Sequence, residues 1–244
     1  MLPFAPIGVI RSCFRQKFGI PRQAGLVPAA RATLELLPPY NQPAAVRGLE
    51  GFSHLWLLFV FHGLPVGRWQ PTVRPPRLGG NRRLGVFATR SPFRPNPIGL
   101  SAVQLERITT KRGSVVLHLA GVDVLDGTPV VDIKPYLPYT DQLFGATGGF
   151  AAAAPVGHLT VDFSPTAAAY CADESVGELR VLIEQILRQD PRPAYEQGRA
   201  APQAYGMRLY DLEVRWEMRG ATAYVTAIAP LTAIPTARNP ELSA

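Results

Sequence analysis

The chain has 244 residues, 47% hydrophobic and 18% charged, which supports one large domain or two small ones and excludes a wholly disordered polypeptide. Its formal net charge of +7 is unevenly spread: residues 1–150 hold 17 Lys and Arg against 7 Asp and Glu, the rest 8 against 11. The longest apolar run, LWLLFVF at 55–61, is too short for a membrane-spanning helix, and no secretion leader is visible, so no membrane association is expected.

PIGVIRS (6–12) reads as an opening strand, and LVPAARATLELL, within 25–37, as one short helix. HLWLLFVFH (54–62) is nearly continuous in apolar residues and short, which predicts a buried strand. From Arg68 to Arg94 there are seven arginines and no acid, a one-sided field that suits an anionic partner such as nucleic acid. Strands are then predicted at 83–90, 98–108, 114–124 and 127–136, with KRG as a turn signal between two of them. So many short strands favour a closed or strongly curved sheet.

The small-residue stretch GATGGFAAAAPVG, around 145–157, reads as a boundary. Beyond it, Leu179, Leu182, Ile183, Ile186 and Leu187 share one helical face, which stops at Pro191. RLYDLEVRWEM (208–218) alternates, with Tyr210, Leu212, Val214, Trp216 and Met218 on one face, and pairs across Arg219-Gly220 with ATAYVTAIA as a hairpin. The expected fold is mainly β: a barrel over 1–150, then a small α/β appendage, a helix plus a hairpin, over 158–236.

Chemistry is harder to place. There is no G-x-G-x-x-G between strand and helix and no P-loop lysine. Cys13 and Cys171 are far apart, so neither a disulfide framework nor a metal site is expected, and a reducing cytoplasm is the default setting. His54 and His62 fall on one strand face without a third ligand; His62 reads as a pocket-edge residue, His54 and His118 as structural. A hydrolase would need Ser91 or Ser101 beside a base such as His62. What stands out is a set of stiff polar loops at strand ends: Pro21-Arg22-Gln23, FHG (61–63), TRSPFRPNPIGLS (89–101) and DVLDGTPVVDIKPY (123–136). Turn chemistry explains each alone; together they suggest one pocket.

PRQAGL, GLEGFSHLWLLFVFH, LGVFATRSPFRPNPIGLS and DVLDGTPVVDIKPY, with QDPRPAY (189–195) and YDLEVRW, resemble the TsaA-like (TrmO) family of tRNA methyltransferases over roughly residues 5–235. The resemblance implies a β-barrel enzyme that uses S-adenosylmethionine to methylate N6 of a threonylcarbamoyl-modified adenosine beside the anticodon, in tRNA for threonine, and that works as a homodimer. By motif match it implies donor binding by Pro21, Arg22, Gln23, Phe61, His62, Arg90, Leu100, Leu125, Asp126, Gly127 and Thr128. Asp132, Lys134 and Tyr136 follow the donor turn and are the candidates for placing the acceptor or taking its proton. Arg77, Arg82, Arg83 and Arg94 are the expected phosphate contacts. The alternatives are a non-catalytic RNA-binding barrel and the same scaffold acting on a different acceptor.

Overall fold

The computed structural model describes residues 4–65, 67–111, 113–155, 157–173, 177–193, 196 and 204–231. The first eight strands are β1 (Gly8–Ser12), β2 (Arg31–Leu36), β3 (His54–Val60), β4 (Thr72–Val73), β5 (Leu84–Gly85), β6 (Ile98–Lys111), β7 (Ser114–Ala120) and β8 (Pro129–Pro135). Six of them close a barrel in the order β1-β2-β7-β6-β3-β8, and every neighbouring pair is antiparallel. Closure rests on Gly8 opposite Val130 and Val9 opposite Pro129.

The alternation of each strand fills the interior. Leu34, Leu55, Leu57, Val103, Leu117 and Leu119 are all buried there. The outer residues of β3, Trp56, Leu58 and Val60, are half-buried as well, which is why this strand reads as an unbroken apolar run. Trp56 stacks obliquely on Tyr136 at 5.5 Å and donates its indole N–H to Asp141 Oδ2 at 2.9 Å, in the short helix α1 (Pro138–Asp141).

Two expectations for this half change. The helix read within 25–37 is instead β2, because Ala32, Leu34 and Leu36 enter the barrel and the backbone pairs on both sides with β1 and β7. Residues 83–90 pair only over Leu84–Gly85, opposite Thr72–Val73, and then turn through a 3-10 segment at Val86–Ala88. The arginine-rich stretch is therefore a small ribbon beside the barrel rather than one of its staves.

The second half holds β9 (Thr160–Phe163), α2 (Pro165–Cys171), α3 (Leu179–Arg188), β10 (Ala204–Leu209), β11 (Leu212–Arg219) and β12 (Thr222–Pro230). A four-stranded sheet in the order β10-β11-β12-β9, with β9 parallel to β12, replaces the simple hairpin expected. The segment 208–218 is not one strand. It folds tightly at Tyr210-Asp211, with Leu209 opposite Leu212, and Tyr210 takes a left-handed φ of 54° and lies exposed. Helix α3 buries the five residues read as its apolar face, and Ser164 caps α2 by accepting from Ala167 N at 3.1 Å. Of the expected second domain, residues 232–236 lie outside the described residues, as do Ala194 and Tyr195 of QDPRPAY.

The apolar core runs on from the barrel into this sheet. Phe14 bridges to Leu209, Tyr210 N donates to Cys13 O at 2.8 Å, and Gly19 lies against Met207 and Ile186. Cys13 itself is fully buried, and burial pushes its thiol up to about 12.

Just past α3, Asp190 and Arg192 form a bidentate ion pair at 2.7 and 2.8 Å, both side chains nearly sealed from solvent. The DPR part of QDPRPAY thus braces the end of the helix. Removing one partner strands a buried charge, a change that costs about 3–5 kcal/mol. Asp190→Ala should lower the stability of the whole chain by that order, measured as a fall in the urea midpoint.

Candidate active site

Two loops cross one end of the barrel, residues 13–30 between β1 and β2 and residues 121–128 between β7 and β8. Backbone hydrogen bonds stitch them together: Gly25 N to Gly121 O at 2.8 Å, Val122 N to Ala30 O at 3.3 Å, and Asp126 N to Phe14 O at 2.9 Å. The segment after β3 and the loop 86–97 complete the rim. Between them lies a cleft of about 590 Å³, within the usual size of a small-molecule site.

The proline-rich loop satisfies itself. Arg94 Nη1 donates to Thr89 O at 2.7 Å and Val86 O at 3.4 Å, while Thr89 Oγ1 and Ser91 Oγ accept from Ser91 N and Phe93 N. Arg94 also lies over the Phe87 ring at 5.6 Å. The loop thus holds Arg90 and Phe93 at the cleft on a fixed backbone. Arg90 Nη1 donates to Gln23 Oε1 at 2.5 Å, and Gln23 in turn donates to Arg22 O. Lys17 reaches the same wall, donating to Gly63 O at 2.5 Å.

The turn 125–128 is built by Gly127, whose φ of +78° suits a residue without a Cβ. Thr128 Oγ1 donates to Leu125 O at 2.6 Å and lies 3.3 Å from His62 Nδ1. Behind the turn, the Asp126 carboxylate accepts from Ser12 N at 3.0 Å and pairs with Arg15.

Most residues implied by the motifs meet here. Pro21, Arg22 and Gln23 line the cleft, as do Phe61, His62, Arg90, Leu100, Leu125 and Thr128. Asp126 and Gly127 do not line it; they shape the turn from behind. Arg94, expected on phosphate, is instead part of the cleft wall and a pin for its loop. Arg77 donates to Ala153 O, and Arg83 Nη1 to Thr72 Oγ1 at 3.0 Å, both away from the cleft on the ribbon side. Arg82 is exposed on the same ribbon.

Asp132, Lys134 and Tyr136 are not brought to the cleft. A register shift in β8 opposite Leu58/Phe59 turns Asp132 and Lys134 outward, where they pair with each other at 3.1 Å, both well exposed. Tyr136 packs against Trp56 and His54. His54 begins β3 and Phe61 follows its end, so Tyr136 lies roughly 23 Å down the barrel at strand spacing. Ser101 does not meet His62: its buried hydroxyl donates to Asp123 Oδ1 at 2.6 Å, which leaves the hydrolase reading without its base. Lys17, Phe59, Phe93, Ser101 and Asp123 also line the cleft, and sequence reasoning assigned none of them to the donor site. Among the described residues, no three His, Cys, Asp or Glu side chains gather as a metal site would.

The profile described as tRNA-methyltransferase O N-terminal domain matches residues 9–142, and the TrmO C-terminal domain profile matches residues 157–231. The chain belongs to the TrmO family. It is 50% identical to the tRNA (adenine(37)-N6)-methyltransferase of Escherichia coli K12 over 93% of this chain and 97% of that protein. It is 54% identical to a putative S-adenosylmethionine-dependent methyltransferase, RcsF, of Pseudomonas aeruginosa, over 87% and 90%. A crystal structure of TrmO from Pseudomonas aeruginosa superposes with a TM-score of 0.74 at 47% identity, covering 94% of this chain and 98% of that one.

The TrmO cleft suits S-adenosylmethionine by the chemistry of its walls. Phe59, Phe61, Leu100 and Leu125 offer apolar surface for an adenine, and Arg22 and Arg90 offer guanidinium forks for a carboxylate. One packing detail holds the aromatic wall. A Cβ at Gly99 would sit 2.3–2.8 Å from the Phe59 ring, which packs edge-on against Phe61 at 5.1 Å. Gly99→Ala should therefore displace Phe59, lower stability by about 1–3 kcal/mol and weaken donor binding by calorimetry, while Gly85→Ala, in open space, should do neither.

Proposed function

We propose that this chain methylates N6 of an adenosine beside the anticodon that already carries a threonylcarbamoyl group, in tRNA for threonine. The chain is an S-adenosylmethionine-dependent tRNA adenine-N6 methyltransferase, as relatives spanning nearly its whole length are named. The observation that carries the finer reading is the cleft itself, which opens beside a cationic ribbon suited to an RNA loop.

The bound donor supplies an electrophilic methyl group on a sulfonium. The protein's part is alignment, so rigidity matters more than a strong nucleophile. The proline-stiffened loop and the turn 125–128 fix the walls; Arg22 and Arg90 hold the donor's carboxylate; Phe61 bounds its apolar side. Pro21 and Gln23 keep those arginines in place. His62 lines the cleft, and the buried Thr128, 3.3 Å from its Nδ1, helps to hold the ring in place.

The ribbon combines cations with bare aromatic surface. Trp69 is 51% and Phe87 73% exposed, on a segment that also carries Arg74, Arg77, Arg82 and Arg83. Recognition of unpaired RNA uses this pairing: phosphate contacts for affinity, ring faces for unstacked bases. A second copy of the chain is the partner we assign to another patch, Tyr139, Leu143 and Phe144, which are exposed next to one another in sequence after β8. A tRNA substrate supports a cytoplasmic setting for this reading.

Labelled methyl transfer from S-adenosylmethionine tests the acceptor. Label should enter bulk tRNA and should be absent from tRNA lacking the threonylcarbamoyl group; equal labelling of both moves the acceptor elsewhere. In the same assay, Arg82→Gln with Arg83→Gln should raise the KM for tRNA several-fold and flatten its salt dependence by roughly 1.4–1.8 units of log–log slope for two lost phosphate contacts, with donor affinity unchanged. Sedimentation of the wild type at micromolar concentration should give twice the chain mass, and a Leu143→Asp, Phe144→Asp variant the single mass.

A further inference from the structure

Methylating an N–H nitrogen releases a proton, and the residues first suggested for it lie outside the cleft. Asp123 lies inside. It sits where the loop 121–128 crosses the barrel mouth, half-buried, and lines the cleft with Arg90, Leu100 and Leu125. Ser101 Oγ, itself buried, donates to Asp123 Oδ1 at 2.6 Å. That contact, together with backbone N–H groups at Asp123 and Ala24, fixes the carboxylate at the barrel mouth. By contrast, the other carboxylate of the loop, Asp126, is engaged by Arg15 and Ser12 N on the far side of the turn.

We propose that Asp123 is the group that accepts the acceptor nitrogen's proton, with Ser101 as its positioning residue. This rests on the methyltransferase reading given above. As the N6–CH3 bond forms, the S–CH3 bond breaks and sulfur keeps its electron pair. The N6 proton passes to the Asp123 carboxylate. One positive charge on sulfur and one negative charge on Asp123 are lost together, so the cleft's net charge is unchanged.

The surroundings suit that role. Burial is the largest influence on Asp123 and pushes its carboxyl up, while the Ser101 hydroxyl, backbone N–H groups at Asp123 and Ala24, and the Arg90 charge pull it back down. A carboxylate held above its ordinary range is a better proton acceptor than a solvated one. The charged or titratable groups that line the cleft with it are Lys17 and Arg22 from the loop 13–30, Arg90 and Arg94 from the loop 86–97, and His62 after β3; Arg90 is the charge that acts on its carboxyl. Asp126, on its own loop, is paired with Arg15.

The sign of the pH effects follows. A raised carboxyl must lose its proton to work, so kcat should fall as pH drops through a value above the usual carboxylate range near 4. For stability the sense is opposite. The folded state disfavours the charged form, so that penalty appears as pH rises through the folded pKa and disappears below the unfolded value.

The test takes the full-length wild type, Asp123→Asn and Ser101→Ala with S-adenosylmethionine and modified tRNA. Asp123→Asn should bind the donor within about threefold of wild type by calorimetry and lose about 100-fold or more in kcat. Without any ligand, its melting temperature should exceed that of wild type at pH 7.5, with the gap closing at pH 4. Ser101→Ala keeps the carboxylate but removes its hydrogen bond, so the acid limb of its kcat profile should move to higher pH. Retained turnover in Asp123→Asn, a collapse of its donor affinity, or an unmoved limb in Ser101→Ala would each overturn the assignment. A wild type that transfers no methyl group would instead sink the reading on which it rests.

Discussion

The cleft depends on how the turn 125–128 is tied to the first strand. Gly127 N donates to Ile10 O at 2.8 Å, Ile10 N to Thr128 O at 2.9 Å, and Ser12 N to the Asp126 carboxylate at 3.0 Å. These bonds continue the β1–β8 pairing that closes the barrel past the last paired residues, up to its mouth. Closure of the sheet and construction of the turn 125–128 therefore share one set of bonds. Asp126 serves the site through this tie, by holding Thr128 and Leu125 where they line the cleft.

Parts of this were legible in the residues, and the reasons are local. Prolines and glycines mark the loops that meet at the mouth, and because strand ends of one barrel converge, polar loops at strand ends could be read as one pocket. The half-buried outer face of β3 made its apolar run plain. Strand β2 was hidden because Ala, Leu and Glu favour helices in isolation, while pairing on both edges overrode that preference. The fold at Tyr210-Asp211 was masked by an alternation that continues across it, and only the backbone shows that Tyr210 leaves the face. β9 gave no signal, since its four residues gain their role by pairing with β12.

At the site, Asp123 and Asp126 look equivalent in DVLDGT. Their difference comes from tertiary neighbours: Ser101, 22 positions away, for one and Arg15, 111 positions away, for the other. Asp132, Lys134 and Tyr136 seemed close to the turn 125–128 because they follow it in sequence, yet a strand carries its residues away at about 3.3 Å each. Nearness along an extended chain is a poor guide to nearness in space. The arginines divide the same way. Some of the basic stretch is spent on internal tethers, as with Arg94, Arg77 and Arg83, Arg90 enters the cleft, and others, such as Arg82, face outward on the ribbon.

The continuous core between barrel and second sheet has a consequence for the order in which the molecule can be completed. Synthesis delivers β1 and the loop 13–30 first. The donor turn that β1 anchors arrives 114 positions later, and Tyr210, whose carbonyl receives Arg15, 195 positions after that arginine. Met207 and Ile186, against which Gly19 rests, come equally late. Contacts of such long sequence separation form slowly and cannot form at all on a half-made chain. A nascent chain on the ribosome thus carries the earliest wall of the cleft before the residues of β10 and the turn after it that brace that wall have emerged.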